Sequence, residues 1–147
     1  MSTLEHNVGI ARNPEEVWDI VGDFDKDDRW RRVQEMRSDP AGPARTGTRT
    51  REVLRFLGST YVTDATVTHV EPGRRLAYEG AGDGTTVRGY RRVEGTSGGT
   101  RFVEGVEIEL SGPMRFLEPL LARLYGRRIK SEVHTLKALL EGEQSRR

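Results

Sequence analysis

The sequence predicts an α+β fold: a curved antiparallel seven-stranded sheet wrapped around a long C-terminal helix, with two short helices after the first strand. Three observations lead there. Between Val33 and Leu110, β-type runs alternate with turn signals. From Leu121 the apolar period changes to three and four, through Tyr125, Ile129, Val133, Leu136 and Leu140. Near the N-terminus a short capped helical pattern interrupts the strands. Sequential strands joined by short turns curve into one sheet, and the amphipathic helix buries its stripe on the concave side. The two short helices leave the space between sheet and helix incompletely filled, a shape that invites a ligand.

The first strand, "TLEHNVGIA", sets Leu4, His6, Val8 and Ile10 on one face and Glu5, Asn7 and Gly9 on the other. "RNPEEVWDIV" then opens a helix: Asn13 caps, Pro14 suits the first position, and Glu15 and Glu16 favour the positive end of the dipole. Glu16, three after Asn13, completes an Asn version of the capping box. Gly22 ends this helix. "DFDKDDRW" forms a second short helical turn closing on Trp30. Its Asp23, Asp25, Asp27 and Asp28 lack the Gly and distal Glu of a calcium loop, and are expected to be a solvated acidic turn.

Six further strands follow: "RVQEMRS", "TGTRTREVLRFLG", "TYVTDATVTHV", "RRLAYEG", "TTVRGYRRV" and "TRFVEGVEIEL", divided by "DPAGPARTG", "EPGR", "GAGDG" and "TSGG". With Ser97-Gly98 as the turn of the last hairpin, facing residues have numbers that sum to 195. Val93 then faces Phe102, Gly89 faces Val106, Val87 faces Ile108, and Arg91 faces Glu104, all on one apolar face. Positive φ angles are expected at this turn. Pro119 is expected to bend the C-terminal helix between a short opening segment from Pro113 and a main segment to about Leu140, because Pro lacks an N–H and pushes Glu118 out of helical geometry. "EGEQSRR" is expected to fray.

Composition excludes several functions. The 147 residues suit a single domain, residues 1–147, with a core at about 4–142. A net charge of +1, from 24 basic and 23 acidic residues, gives no reason to expect a nucleic-acid partner. No cysteine is present, which removes disulfides, thiolate metal sites and cysteine nucleophiles. No apolar run approaches a membrane span, and "MSTLEHNVGIARNPEE" lacks the apolar stretch of a signal peptide, so the expected setting is cytoplasmic, without stable membrane insertion. A monomer or homodimer is expected, with no cofactor and no metal. His6, His69 and His134 are scattered and lack an i, i+4 pair. Helical phase places His134 in solvent, parity turns His6 inward, and His69 sits beside a corner. No nucleophile-elbow motif supports serine catalysis.

"NPEEVWDIVGDFD" with Trp30 and Val33, then "VTHVEPGRRLAYEG", "GGTRFVEGVEIELSGP" and "LKALLEG", resemble the START-like (SRPBCC) superfamily, in particular its polyketide cyclase/dehydrase and lipid-transport branch. The resemblance covers about residues 4 to 142 and implies a helix-grip fold with a cavity. Superfamily members include aromatase/cyclases, lipid and hormone carriers and chaperone-linked activators, so the resemblance implies a small hydrophobic ligand without naming it. The Trp-rich segment associated with aromatic-polyketide cyclases is not visible in "TYVTDATVTHV", and similar members often carry an aromatic or small residue where Arg91 and Glu104 stand.

On that scaffold the inward face is a cavity wall. Arg91 and Glu104 read as a pair offered to a ligand's polar group, as a structural ion pair, or as the result of a register slip that turns Arg91 outward. They are also the weak candidates for acid–base chemistry. Glu52 shares the inward parity of Leu54 and Phe56. Tyr61, Tyr78, Phe102 and Val106 on strands, with Leu117, Leu121 and Tyr125 on the helix, complete the expected ligand site. Trp18, Phe24 and Phe116 are assigned to the core. Arg49, Arg51 and Arg55 point outward on the third strand, and Arg88 opposes Glu107, a mixed-charge solvated face. Three functions stay open: binding of a lipid, polyketide or related metabolite; a cyclase or dehydratase using the same cavity; and a partner-binding module without a small ligand.

Overall fold

The computed structural model describes residues 2–82 and 84–145. The chain runs β1 (Ser2–Ile10), α1 (Pro14–Val21), a 3₁₀ helix (Phe24–Arg29), β2 (Glu35–Asp39), β3 (Arg49–Phe56), β4 (Ser59–Glu71), β5 (Arg75–Gly82), β6 (Thr85–Thr96), β7 (Gly99–Leu110), a second 3₁₀ helix (Gly112–Leu117) and α2 (Glu118–Ser145). The seven strands form one sheet in the order β1-β7-β6-β5-β4-β3-β2. No connection between β2 and β7 reaches the dozen or so residues that a parallel crossover needs, so these strands meander. β1 then takes the free edge of β7, from Ser2 opposite Ile108 to Ile10 opposite Thr100. The expected α+β fold, a curved antiparallel sheet around a long C-terminal helix, is the one observed.

Local chemistry explains α1. The Asn13 side chain accepts the Glu16 N–H at 2.9 Å, and Pro14 occupies the first turn. The Glu16 carboxylate turns instead to Arg12 at 2.8 Å, so only half of the capping box is made. Gly22 closes the helix because a Cβ there would lie 2.6 Å from the Trp18 ring folded over it. The next turn corrects an expectation. Asp27 is completely buried and Asp23 nearly so, not solvated. In a 3₁₀ helix residues three apart share a face, so Phe24, Asp27 and Trp30 all turn inward together.

The last hairpin has the expected register: Arg91 opposes Glu104, Val93 opposes Phe102, and Val87 opposes Ile108. The positive φ falls on Gly99 (+145°), just after the two turn residues. β4 and β5 shift register between Val67 and His69, a bulge within the sheet.

Pro119 does not bend the helix. Glu118 has helical φ and ψ of −52° and −47°, and Pro119 lies in the first turn of α2, where a missing N–H removes no intrahelical bond. The break comes earlier, where the 3₁₀ helix Gly112–Leu117 hands over to α2. α2 runs past the expected end to Ser145; Arg146 and Arg147, part of the tail expected to fray, lie outside the described residues, as does Asp83 in the "GAGDG" turn. Ile129, Val133, Leu136 and Leu140 form its buried stripe, and His134 is on the exposed side.

The core divides in two. Val8, Ile10, Val17, Val21, Trp30, Val93, Phe102, Val133, Leu136 and Leu140 pack where α1 meets the hairpin and the end of α2. Phe24, Ala44, Val67 and Leu76 form a smaller cluster farther along the sheet. Gly99 matters to the first: a Cβ there would sit 2.3 Å from the Ile10 carbonyl oxygen, besides the unfavourable φ. Gly99→Ala is expected to cost about 2 kcal/mol or more in urea unfolding, whereas Gly98→Ala, with open space around it, should stay within about 0.5 kcal/mol.

Candidate ligand cavity and its buried charge network

Alternation along β3 to β7 points one side chain in two at α2, and the two core clusters do not fill the space between. A cavity of about 180 Å³ remains, room for roughly ten or more water-sized groups. Leu54, Phe56, Tyr61, Val106, Leu121 and Tyr125 are among its walls. Phe56 and Tyr125 meet edge to face at 5.6 Å. Tyr78 lies over Gly89 of the neighbouring strand, where a Cβ would come within 2.2 Å of the ring. Glycine there allows the tyrosine to lie against the sheet and line the cavity. The outer end is built by Gly82, Gly84, Thr85, Leu110 and Met114, near the β5–β6 turn. The inner end is polar: Arg31, Glu52, Glu104 and Glu132.

Behind that inner end lies a network of buried charges. Arg91 is fully buried, its guanidinium 4.5 Å from the Phe24 ring centroid and 5.0 Å from that of Trp30. It donates to both carboxylate oxygens of Asp27, at 2.9 and 2.6 Å, and to the Val21 carbonyl at the end of α1, at 3.0 Å. Arg31 donates to Asp27 at 3.0 Å, to Glu52 at 2.8 Å and to Glu132 at 3.4 Å. Glu132 also accepts the Arg32 N–H at 3.0 Å and lies 3.6 Å from Arg128. Burial works against both inner guanidinium charges. The Asp27 carboxylate outweighs it for Arg91, and Glu52 and Glu132 do so for Arg31, so both stay protonated with pKa values above the ordinary guanidinium range.

Glu104 is the exception. Its nearest cation is Arg91 Nε at 3.8 Å, beyond hydrogen-bond reach. Both Glu104 Oε2 and Arg91 Nε are buried without a partner. Burial pushes the Glu104 carboxyl up to about 7, only partly offset by Arg91 and Arg31. Burial likewise raises Tyr78 and Tyr125, which stay neutral hydroxyls.

Of the site residues expected from sequence, Glu52, Leu54, Phe56, Tyr61, Tyr78, Glu104, Val106, Leu121 and Tyr125 lie on the cavity. Three do not. Arg91 is walled off by Phe24 and Trp30 and held by Asp27 rather than facing the cavity. Phe102 packs edge to face on Trp30 at 5.8 Å in the dry core. Leu117 sits in the 3₁₀ helix, before α2 starts, and is exposed, as is Phe116, a residue expected in the core. Sequence reasoning missed Asp27, Arg31 and Glu132. For Asp27 the signal was its spacing of three from both Phe24 and Trp30. For Glu132 it was a carboxylate beside Val133 in the apolar stripe, three after Ile129 and four before Leu136.

The family described as polyketide cyclase/dehydrase and lipid transport matches residues 1–141. No curated protein sequence matches the chain. Solved structures do. A Thermus thermophilus protein is 18% identical, with a TM-score of 0.78 over 97% of this chain and 99% of that one. A START superfamily protein of Mycobacterium smegmatis is 16% identical, TM-score 0.76, over 95% and 97%. The ZhuI aromatase/cyclase of Streptomyces sp. R1128 is 13% identical, TM-score 0.78, over 95% and 93%. At such identities the likeness establishes the fold.

Two outcomes follow from the charge network. Asp27→Ala leaves the buried Arg91 guanidinium with the Val21 carbonyl as its one hydrogen-bond partner, while Arg31 keeps Glu52 and Glu132, and is expected to cost about 3–5 kcal/mol in urea unfolding; Asp27→Leu with Arg91→Met should recover much of that loss. For Glu104 the folded pKa lies above the unfolded value of 4.5, so the native state holds the extra proton between these pH values. Stability from this group is therefore lost as pH rises from about 4.5 through 7, on the order of 3 kcal/mol in all. Glu104→Gln should flatten that slope in unfolding curves recorded at pH 5, 6, 7 and 8.

Proposed function

The chain belongs to the polyketide cyclase/dehydrase and lipid-transport family, and on that premise we propose that it binds one small amphipathic molecule in the cavity between sheet and α2. The observation that carries this reading is the polarity of the cavity. Its walls are mainly aliphatic and aromatic, and four of its five charged side chains, Arg31, Glu52, Glu104 and Glu132, gather at the inner end, while the fifth, Glu118, is tied at the outer end to the Leu110 N–H and the Ser2 hydroxyl. A ligand with an apolar body and one polar end would match both parts in a single orientation. Leu54, Phe56, Tyr61, Val106, Leu121 and Tyr125 would hold the body, and Glu104, Glu52 and Tyr78 the polar end. Arg91 would act indirectly, by fixing the floor from behind. Lipids, polyketides and related metabolites all fit this description. Among the described residues no helix is long and apolar enough to cross a membrane.

A second reading, a cyclase or dehydratase, is favoured by one observation: Glu104 borders the cavity with its carboxyl pushed up to about 7. A carboxyl of that kind can give and take a proton near neutrality. The ZhuI aromatase/cyclase has the same fold, which makes aromatic polyketide chains the first substrates to try. Turnover that survives Glu104→Gln unchanged would remove this reading.

Native mass spectrometry of freshly purified protein, followed by a panel of fatty acids, alkyl ketones and aromatic polyketides, tests binding. At least one class should form a one-to-one complex. Leu121→Trp, which fills the cavity from a half-buried helix position, should weaken that complex at least about tenfold while the protein stays folded. A protein that arrives empty and ignores the whole panel would leave a partner-binding module as the reading to pursue.

A further inference from the structure

The charges at the inner end of the cavity can be counted. Among the described residues, three guanidiniums gather at and behind it, Arg31, Arg91 and Arg128, and three carboxylates answer them, Asp27, Glu52 and Glu132, each accepting a hydrogen bond from a guanidinium at 2.6 to 3.4 Å, with Arg128 3.6 Å from Glu132. Glu104 is the fourth carboxyl. It is 3% exposed, makes no hydrogen bond through Oε2, and stands 3.8 Å from an Arg91 Nε that is itself unpartnered. The guanidinium cannot come closer, because its other two nitrogens are fixed on Asp27 and on Val21, with aromatic rings beside it. Ionised, Glu104 would add one uncompensated negative charge to a balanced buried cluster. Protonated, it leaves the balance intact and becomes a hydrogen-bond donor on the cavity wall.

We propose that Glu104 is the specificity-determining residue of the cavity: in its acid form it donates to a neutral acceptor, a ketone or comparable carbonyl oxygen, at the ligand's polar end. This rests on the reading of the cavity as a ligand site. A carboxylate ligand would add the same surplus anion that the cluster already rejects. An ammonium head would have to shed its water beside Arg31 and Arg91. A neutral carbonyl changes no charge, and pairing it with the acid satisfies a buried donor that otherwise has no partner. The raised pKa of Glu104, about 7, agrees with the charge count.

Binding is then coupled to protonation. The groups around Glu104 are Arg91 on β6, His6 opposite it on β1, Tyr78 on β5, Glu52 on β3, Asp27 and Arg31 at the first 3₁₀ helix and Glu132 on α2. The two arginines stay charged and the tyrosine neutral near pH 7, and the directly opposed His6 is tested by substitution.

Three probes of equal length decide it: 2-octanone, octanoate and octylamine, measured by calorimetry between pH 6 and 9. Affinity for 2-octanone should fall about a hundredfold across that range, as one proton is lost from the binding-competent form. At pH 6.5 octanoate should bind about tenfold more weakly than the ketone. Glu104→Gln, which keeps an amide donor, should hold the ketone with little pH dependence, and Glu104→Leu should lose it. His6→Gln should retain the wild-type profile. Carboxyl carbon NMR of glutamate-labelled protein should show one resonance, absent from Glu104→Gln, titrating near 7 and higher with 2-octanone. A resonance titrating near 4.5, a ketone profile flat with pH, or a preference for octylammonium that grows with pH would overturn the proposal while leaving the cavity a ligand site. Failure of all three probes to bind would overturn this inference, and the cavity reading with it only if the fatty-acid, alkyl-ketone and aromatic-polyketide panel is refused as well.

Discussion

One buried guanidinium organises this protein. Arg91 reaches from the middle of β6 to the end of α1 and to Asp27 in the following 3₁₀ helix. It ties all three elements together through polar contacts at one buried point. Removing such a group from water is costly, and the cost is offset only when every strong partner is in place. Asp27 accepts two bonds from Arg91 and one from Arg31, and Phe24 and Trp30 cover the Arg91 cation. The arrangement tolerates little displacement of α1 against the sheet. It is as much a device for geometry as for stability.

That junction divides the space under α2. On one side Trp30, Phe102, Val93 and the α1 residues close into a dry core with Val133 and Leu136. On the other side the strands keep their inward alternation under α2 but have no α1 side chains to fill the space, and the cavity remains. Its inner end is polar because it is the far face of the same network: Arg31, Glu52 and Glu132 extend from Asp27 to the cavity wall. Glycines complete the design where rings must lie flat. Tyr78 rests on Gly89 inside the sheet's curve, and Tyr90 rests on Gly105 on the other face. Structure and chemistry meet in Glu104, placed by strand register among charges already paired with each other.

Much of the fold was legible. Period-two runs and turn residues marked the strands, Asn13-Pro14 marked α1, and the stripe from Ile129 to Leu140 marked α2. The hairpin register followed from Ser97-Gly98 alone, because an antiparallel pairing once started fixes every later pair. The cavity wall followed from parity for Glu52, Leu54, Phe56, Tyr78, Glu104 and Val106. Pro119 was misread for a local reason: a proline bends a helix only from inside it, and the helix start lay one residue before it. Asp27 was misread for a wider one, since four aspartates in six residues look solvated until a cation from another element is brought to one of them.

The sequence by itself determined which residues share a face, that consecutive strands from β2 to β7 run side by side, and that Arg91 and Glu104 stand opposite each other. These are consequences of local geometry, in which periodicity and turn chemistry act over a few residues. Only the tertiary structure decided whom Arg91 pairs with. Asp27 is 64 residues away, and it wins over the directly opposed Glu104 because it can meet the guanidinium edge to edge, while Glu104 is left at 3.8 Å from Nε. Periodicity places side chains on faces. The choice between two carboxylates for one buried charge depends on sub-ångström distance and on desolvation, and those exist only once α1, the 3₁₀ turn and the sheet have closed on one another.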